Sequence, residues 1–476
     1  YKDSITIHEQ QHIREELTVK PFVAKTSPIQ AKEFPVYRES DKKLYVPRLF
    51  GEKIYGIATE QTISNGNDIN IEFKGNLRDF QIPIVNKYIE HAKEKGCGLL
   101  EVPCGFGKTV MALKIISLLK KKTLVIVHKT FLLEQWIERI QEFLPDAKIG
   151  RIQGEKYLDY ENKDIVIGML QSLSFKTYPR AIIDEFGFTV IDETHHIAAE
   201  VFSNSLFQIV TPYMLGLSAT MQRKDGLTKV FKMFLGDVVC KLKREEEDNV
   251  IIQQVNYNND DDDFNNVVYD FRGQIQYSTM ITKLCQFNPR SEFIIKVLSE
   301  LLKDDRNKQI MILSQYKNLL VYIHNAIEHR AIATVGYYIG GMKQEKLKLS
   351  ESKKVILATY AMAAEALDIK TLSTLIMATP KSDVEQSVGR ILRVKHEQSI
   401  VVDIVDPHDI FKRQYSKREK FYKKNKYKII STTSNLYGNE CWLTSYDPKD
   451  KEHKKKGNNK NKDELKGQCL ITNIEI

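Results

Sequence analysis

The chain has 476 residues, 42% of them hydrophobic, which is too long for one core and apolar enough to build two to four domains. Its formal charge of +9 favours a polyanionic partner such as nucleic acid without requiring one. The six cysteines, at positions 97, 104, 240, 285, 441 and 469, show no C-x-x-C spacing, which argues against a zinc ribbon or a disulfide framework and for free thiols in a reducing, intracellular compartment. No apolar run reaches the roughly 18 residues that a membrane span needs, and the opening YKDSITIHEQ lacks a signal-peptide core. A start at Tyr1 rather than Met is expected of a chain whose native N-terminus is not included.

Residues 1–75 mix short β-like runs, KLYVPRLF and KIYGIAT, with turn residues, and predict a small, strand-rich N-terminal module. From 76 to 240, GLLEV, TLVIVH, DIVIGM, FTVIDE and YMLGLSAT alternate with amphipathic stretches such as TVMALKIISLLKKK and TFLLEQWIERIQEFL. That rhythm predicts an α/β lobe, a parallel sheet covered by helices on both faces. It returns from 288 to 405 in QIMILS, KVILAT, TLIMAT and SIVVDIVD with their intervening helices, so two α/β lobes are expected. Residues 241–287 read as a linker carrying a solvated acidic loop, NYNNDDDDFNN. Residues 406–476 read as a basic extension ending in KDKEHKKKGNNKNKDELK, a composition expected to be disordered.

The stretch VPCGFGKTV, 102–110, carries Gly-Lys-Thr but has Val102 where a phosphate loop usually has its first glycine. Its context supports the phosphate reading, because an apolar strand precedes it and an amphipathic helix follows. On that reading Gly105 and Gly107 turn backbone N–H groups toward phosphate, Lys108 reaches the β and γ phosphates, and Thr109 ligates Mg²⁺. In VIDETHH, 190–196, a second strand ends in an acidic pair. Asp192 is the candidate to hold Mg²⁺ and Glu193 the candidate to orient or deprotonate the attacking water. His195 and His196 raise a zinc site, but no second ligand pair lies at suitable spacing, so zinc is not expected.

LRDFQ, PCGFGKT, VIVHKTFLLEQW, IGMLQSL, DETH, LSAT, ILSQYKNLL, ATYAMAAEALDI and QSVGRILR occur in that order between residues 77 and 393. In order and spacing they resemble the serial motifs of superfamily 2 helicases. SATMQRKDG, TPKSDVEQSVGRILR and YSKREKFYKKNKYKI are similar to the XPB-type branch, in particular to the poxvirus-like transcript-release helicases of large DNA viruses. The resemblance implies two RecA-like lobes with ATP between them. It implies that Gln81 reads the adenine edge, that Arg390 and Arg393 act as arginine fingers on the γ-phosphate, and that Ser218 and Thr220 couple the nucleotide to lobe movement. It also implies that Lys129, Gln171, Gln315 and Thr359 touch nucleic-acid phosphates.

The resulting expectation is an ATP- and Mg²⁺-dependent DNA helicase or translocase, moving 3′ to 5′ and serving viral transcription in a cytoplasmic factory or virion, with transcription machinery as a further partner. RNA is the alternative substrate, and a nucleic-acid-binding scaffold with a degenerate ATP site is the alternative of another class. In FKRQYSKREKFYKKNKYK the cations are expected to displace counterions, and Phe411, Tyr415, Phe421, Tyr422 and Tyr427 to stack on unpaired bases. A solvated helix packed on the second lobe is the competing reading of that segment.

Overall fold

The computed structural model describes residues 1–22, 31–103, 105–154, 157–194, 199–221, 223, 225–242, 249–304, 308–365, 369, 371–385, 387–388, 398–439 and 441–450. The chain divides into two compact units, Tyr1–Arg244 and Glu245–Ile476, each built on an eight-stranded sheet.

The first sheet contains β1 (Cys97–Glu101), β2 (Thr123–Val127), β3 (Ile149–Gln153), β4 (Tyr157–Asp159), β5 (Ile165–Met169), β6 (Phe188–Ile191), β7 (Tyr213–Ser218) and β8 (Val238–Lys241). Their spatial order is β8-β1-β7-β6-β2-β5-β3-β4. Every neighbouring pair is parallel except β3 with β4. The strands β1, β2, β5 and β6 are buried at every position, as expected where helices cover both faces. Successive side chains feed opposite cores: Leu100, Val125 and Val190 join Met111, Trp136 and Ile140 on one face, while Leu99, Leu124 and Ile191 join Phe202, Phe231 and Phe234 on the other.

The second sheet contains β9 (Val250–Asn256), β10 (Gln309–Ser314), β11 (Val335–Tyr338), β12 (Val355–Thr359), β13 (Leu372–Met377), β14 (Ser399–Val405), β15 (Lys428–Thr433) and β16 (Leu443–Tyr446). Its order is β11-β12-β10-β13-β14-β9-β15-β16, and only β15 with β16 is antiparallel. Two α/β units with parallel sheets of this kind are RecA-like lobes. No helix among the described residues is long and apolar enough to cross a membrane.

The segments outside the two expected lobes differ from the sequence reading. The described residues of 1–75 pack into the first lobe, where Val19, Phe34 and Val36 share a core with Leu99 and Leu124, and Ile69, Ile71 and Phe73 share one with Leu100. RLFGEKIY, most of it expected to be β-like, is the helix Arg48–Tyr55, which follows Pro47 and ends at Gly56 with φ 79°. The expected linker contains β9, which pairs with β14 on one side and β15 on the other. In its acidic loop Asp260 to Asp263 are exposed, but Phe264 is buried and stacks on Phe287 at 4.5 Å. The expected extension supplies the helix Asp409–Lys424 and β15; residues 451–476 of it lie outside the described residues.

Candidate active site and nucleic-acid interface

In the first sheet β1, β7 and β6 are consecutive and parallel, with Glu101 opposite Ser218 and Ile191 opposite Gly216. Their C-terminal ends therefore stop side by side, and the phosphate-loop, Asp-Glu and Ser-Ala-Thr segments leave the sheet at one edge, where ligands of open α/β sheets bind. Val102 is buried and its N–H donates to the Ser218 carbonyl at 2.9 Å, so it continues the strand ladder and does not belong to the phosphate-cradling turn.

Gly105 and Gly107 have φ of 86° and 78°, backbone that an L side chain rarely adopts. A Cβ on Gly107 would meet Gln81 Nε2 at 2.4 Å. Gln81 opens the helix Gln81–Lys95 and is buried. Its Nε2 donates to the Phe106 carbonyl at 2.8 Å, and its Oε1 accepts the Arg78 N–H at 2.9 Å. The residue implied to read adenine therefore also ties the phosphate loop to that helix.

Lys108 starts the helix Lys108–Leu119, is buried, and lies 3.2 Å from Glu193 Oε1. Asp192 is buried beside them; its Oδ2 accepts the Trp136 indole N–H at 2.9 Å, and its Oδ1 accepts the Glu193 backbone N–H at 2.9 Å. Burial, then the neighbouring Glu193 charge, pushes the Asp192 carboxyl up to about 6, against the opposing pull of Lys108 and these two donors. Glu193 has φ 49°, a left-handed backbone that costs a non-glycine residue on the order of 1 kcal/mol and is characteristic of functional sites.

Thr109 is half-buried in the first turn of the same helix. A Mg²⁺ ion bound to nucleotide takes few protein ligands and prefers hard oxygens. The hydroxyl of Thr109 and the desolvated carboxylate of Asp192 fit that requirement. At the end of β7 the Thr220 N–H donates to Ser218 Oγ at 3.2 Å and closes a turn. Thr194 Oγ1 donates to the Leu217 carbonyl at 3.4 Å, and Arg223 Nη1 donates to the Thr194 carbonyl at 3.4 Å. The Asp-Glu and Ser-Ala-Thr segments are thus hydrogen-bonded to each other.

Sequence reasoning assigned no role to Trp136, Thr194 or Arg223. Trp136 had a signal, since the chain has two tryptophans, but its partner lies 56 residues away. Arg390 and Arg393, the implied arginine fingers, and His195 and His196 lie outside the described residues.

The four candidates for nucleic-acid contact fall in two pairs. Lys129 caps the helix Thr130–Phe143, and Gln171 Nε2 donates to the adjacent His128 carbonyl at 3.0 Å. In the second unit Thr359 ends β12 opposite Ser314, the residue before Gln315. Gln315 Nε2 donates to Tyr277 Oη at 3.1 Å and to the Pro380 carbonyl at 2.5 Å, so its amide group is held within the lobe.

Comparison with known proteins identifies the family. Residues 74–223 match the family described as type III restriction enzyme, res subunit, and residues 294–395 match the helicase conserved C-terminal domain. A protein of Acanthamoeba polyphaga mimivirus named as an ATP-dependent RNA helicase is 35% identical over 439 residues, 90% of this chain and 83% of its own. A protein of Invertebrate iridescent virus 6 named as a helicase is 27% identical, over 75% of this chain and 83% of its own. One of Escherichia phage T5 named as a helicase is 28% identical, over 69% and 72%. Among solved structures, T4 UvsW covers 90% of this chain and 96% of its own at 17% identity, with a TM-score of 0.36. The two family matches and the long alignment with the mimivirus protein place this chain among the ATP-dependent helicases of superfamily 2.

Proposed function

We propose that the chain is a DNA helicase or translocase driven by ATP hydrolysis at the edge formed by β1, β7 and β6. The observation that carries this reading is the contact of Lys108 with Glu193 beside the buried, doubly hydrogen-bonded Asp192. A polyphosphate entering the loop competes with Glu193 for Lys108. The carboxylate so released orients and deprotonates the attacking water. Mg²⁺, when bound, neutralises phosphate charge, with Thr109 and Asp192 as the residues that would hold it. Arg390 and Arg393 are proposed to add charge at the transition state, a role supported by sequence alone. Gln81 is proposed to read adenine and Ser218 with Thr220 to pass the nucleotide state onward, while Lys129, Gln171 and Thr359 hold strand phosphates; Gln315, whose side-chain and backbone donors are taken by Tyr277, Pro380 and Thr379, is not among them.

The motif likeness to the XPB-type branch supports DNA as the track, 3′ to 5′ movement and a task in viral transcription such as transcript release. RNA is the second reading, favoured by the RNA helicase names of the mimivirus relative and of an African swine fever virus protein 25% identical over 360 residues. ATP turnover measured side by side with single-stranded DNA, duplex DNA and RNA separates them. Stimulation by DNA supports the proposal, stimulation by RNA alone replaces it, and a folded protein that no nucleic acid stimulates refutes coupling altogether.

A further inference from the structure

The helix Asp409–Lys424 has two unlike faces. Phe411, Tyr415, Arg418 and Tyr422 are buried, at the four-and-three spacing of one helical stripe. Arg418 grips Asp403 of β14 through two bonds of 2.8 Å, and the Tyr422 hydroxyl donates to the same carboxylate at 2.9 Å. Tyr427, just past the helix, is buried as well. The aromatic side chains expected to stack on bases are thus, Phe421 excepted, committed to the second unit's core. This corrects the stacking expectation and leaves the opposite face to be explained.

That face exposes Lys412, Arg413, Lys417, Lys420, Lys423 and Lys424. Two carboxylates lie beside them: Glu419, which pairs with Lys423 at 2.7 Å, and the exposed Asp409 in the first turn, three and four residues before Lys412 and Arg413. From Lys412 to Lys424 the stripe runs about 18 Å at 1.5 Å per residue. One nucleic-acid strand presents a phosphate about every 3.4 Å of helix axis, so the stripe faces about five of them. A merely solvated helix needs no such excess of one sign, whose self-repulsion is unfavourable until an anion arrives.

We infer that the outward face of this helix is a docking surface for the nucleic-acid phosphate backbone, reading charge and not bases. The inference rests on the proposed nucleic-acid function and names a surface apart from the four candidate contact residues Lys129, Gln171, Gln315 and Thr359. Because the buried face is anchored at four points, the cations are presented on a rigid support and lose less freedom on binding. Contact through phosphates alone predicts similar affinity for any sequence and no dependence on unpaired bases.

The test uses the full chain and a fluorescent DNA duplex of about 20 base pairs, long enough to span the stripe, with binding read by anisotropy over a range of salt. The quadruple variant Lys412→Gln, Arg413→Gln, Lys417→Gln, Lys420→Gln should lower the log–log salt slope by about 3 to 4, at roughly 0.9 per phosphate contact. Basal ATP turnover should be unchanged. Glu419→Lys should act oppositely, raising affinity and steepening the slope by about 1, a gain that misfolding cannot mimic. A quadruple variant whose slope stays within about 1 of the parent's, or an unaltered Glu419→Lys, overturns the inference and leaves a surface for another class of partner. Binding that depends on this face in a protein whose turnover no nucleic acid stimulates upholds the surface while refuting the proposed coupling. A parent chain that binds no nucleic acid refutes both.

Discussion

Arg418→Ala tests whether the basic C-terminal helix belongs to the core of the second unit. Arg418 is 1% exposed and Asp403 is 0% exposed. Besides its two bonds to Asp403, the guanidinium donates through Nη1 to the Lys381 carbonyl at 2.6 Å. Removing it leaves a buried carboxylate with the Tyr422 hydroxyl, and breaking a buried pair from one side costs about 3–5 kcal/mol. Against a total stability of about 5–15 kcal/mol, that is a large fraction. With a urea slope of about 2 kcal/mol/M, the unfolding midpoint should fall by about 1.5–2.5 M. The two tryptophans separate the units: Trp136 is in the first, and Trp442 in the second, 5.7 Å from Tyr437. In a Trp136→Phe background, Trp442 fluorescence therefore follows the second unit. Lys417→Ala on the exposed face should shift stability by no more than about 0.5 kcal/mol. Arg418→Met combined with Asp403→Leu should recover much of the loss, because a buried ion pair and a well-packed apolar pair are of similar stability. A midpoint for Arg418→Ala within about 0.3 M of the parent, the scatter of a surface substitution, would refute the reasoning.

Lys108→Ala should abolish ATP turnover and keep most nucleic-acid affinity, checked by turnover and anisotropy on one preparation; near-normal turnover would discard the phosphate-loop assignment. Glu193→Gln should retain nucleotide binding while lowering turnover by about 10²–10⁴, the range for a lost general base, and a collapse of nucleotide affinity at normal turnover of bound ATP would contradict that role. Gly107→Ala should weaken nucleotide binding and lower the stability of the first unit by roughly 1–2 kcal/mol, because φ is 78° and the added Cβ meets Gln81; parent-like binding and melting would argue against the loop conformation. His408 is buried with Nε2 2.8 Å from the Phe264 carbonyl, and desolvation holds its pKa below the ordinary value. The unfolded chain therefore takes up the proton first, and this contribution, full above about pH 6.5, is lost as pH falls below it. His408→Gln should flatten the pH dependence of second-unit stability between pH 7 and 5, and an unaltered slope would remove His408 as its source.

Much of this molecule was legible in the sequence because the signals are local. A strand buried on both faces must be apolar along its length, so GLLEV, TLVIV and FTVI announce themselves. A phosphate loop needs glycine, lysine and threonine within one turn, and an acidic pair at a strand end is contiguous. Lys108, Asp192 and Glu193 could thus be named as candidates from the sequence, while the strand order that brings their segments side by side could not. Tertiary structure alone decided what depends on partners distant in the chain. The strand Val250–Asn256 has an irregular burial pattern and follows a charged run, so it reads as linker until residues 399–405 and 428–433 flank it. The aromatics at 411, 415 and 422 have helical spacing, but composition does not say whether such a stripe meets a base or a core. Asp403 and its bond to Arg418 settle which face turns inward. Trp136 acquires meaning only through Asp192, 56 residues on. Propensity and pattern act over a few residues, whereas strand order, the inward face of a helix and the second donor to a carboxylate are set by which distant surfaces bury each other.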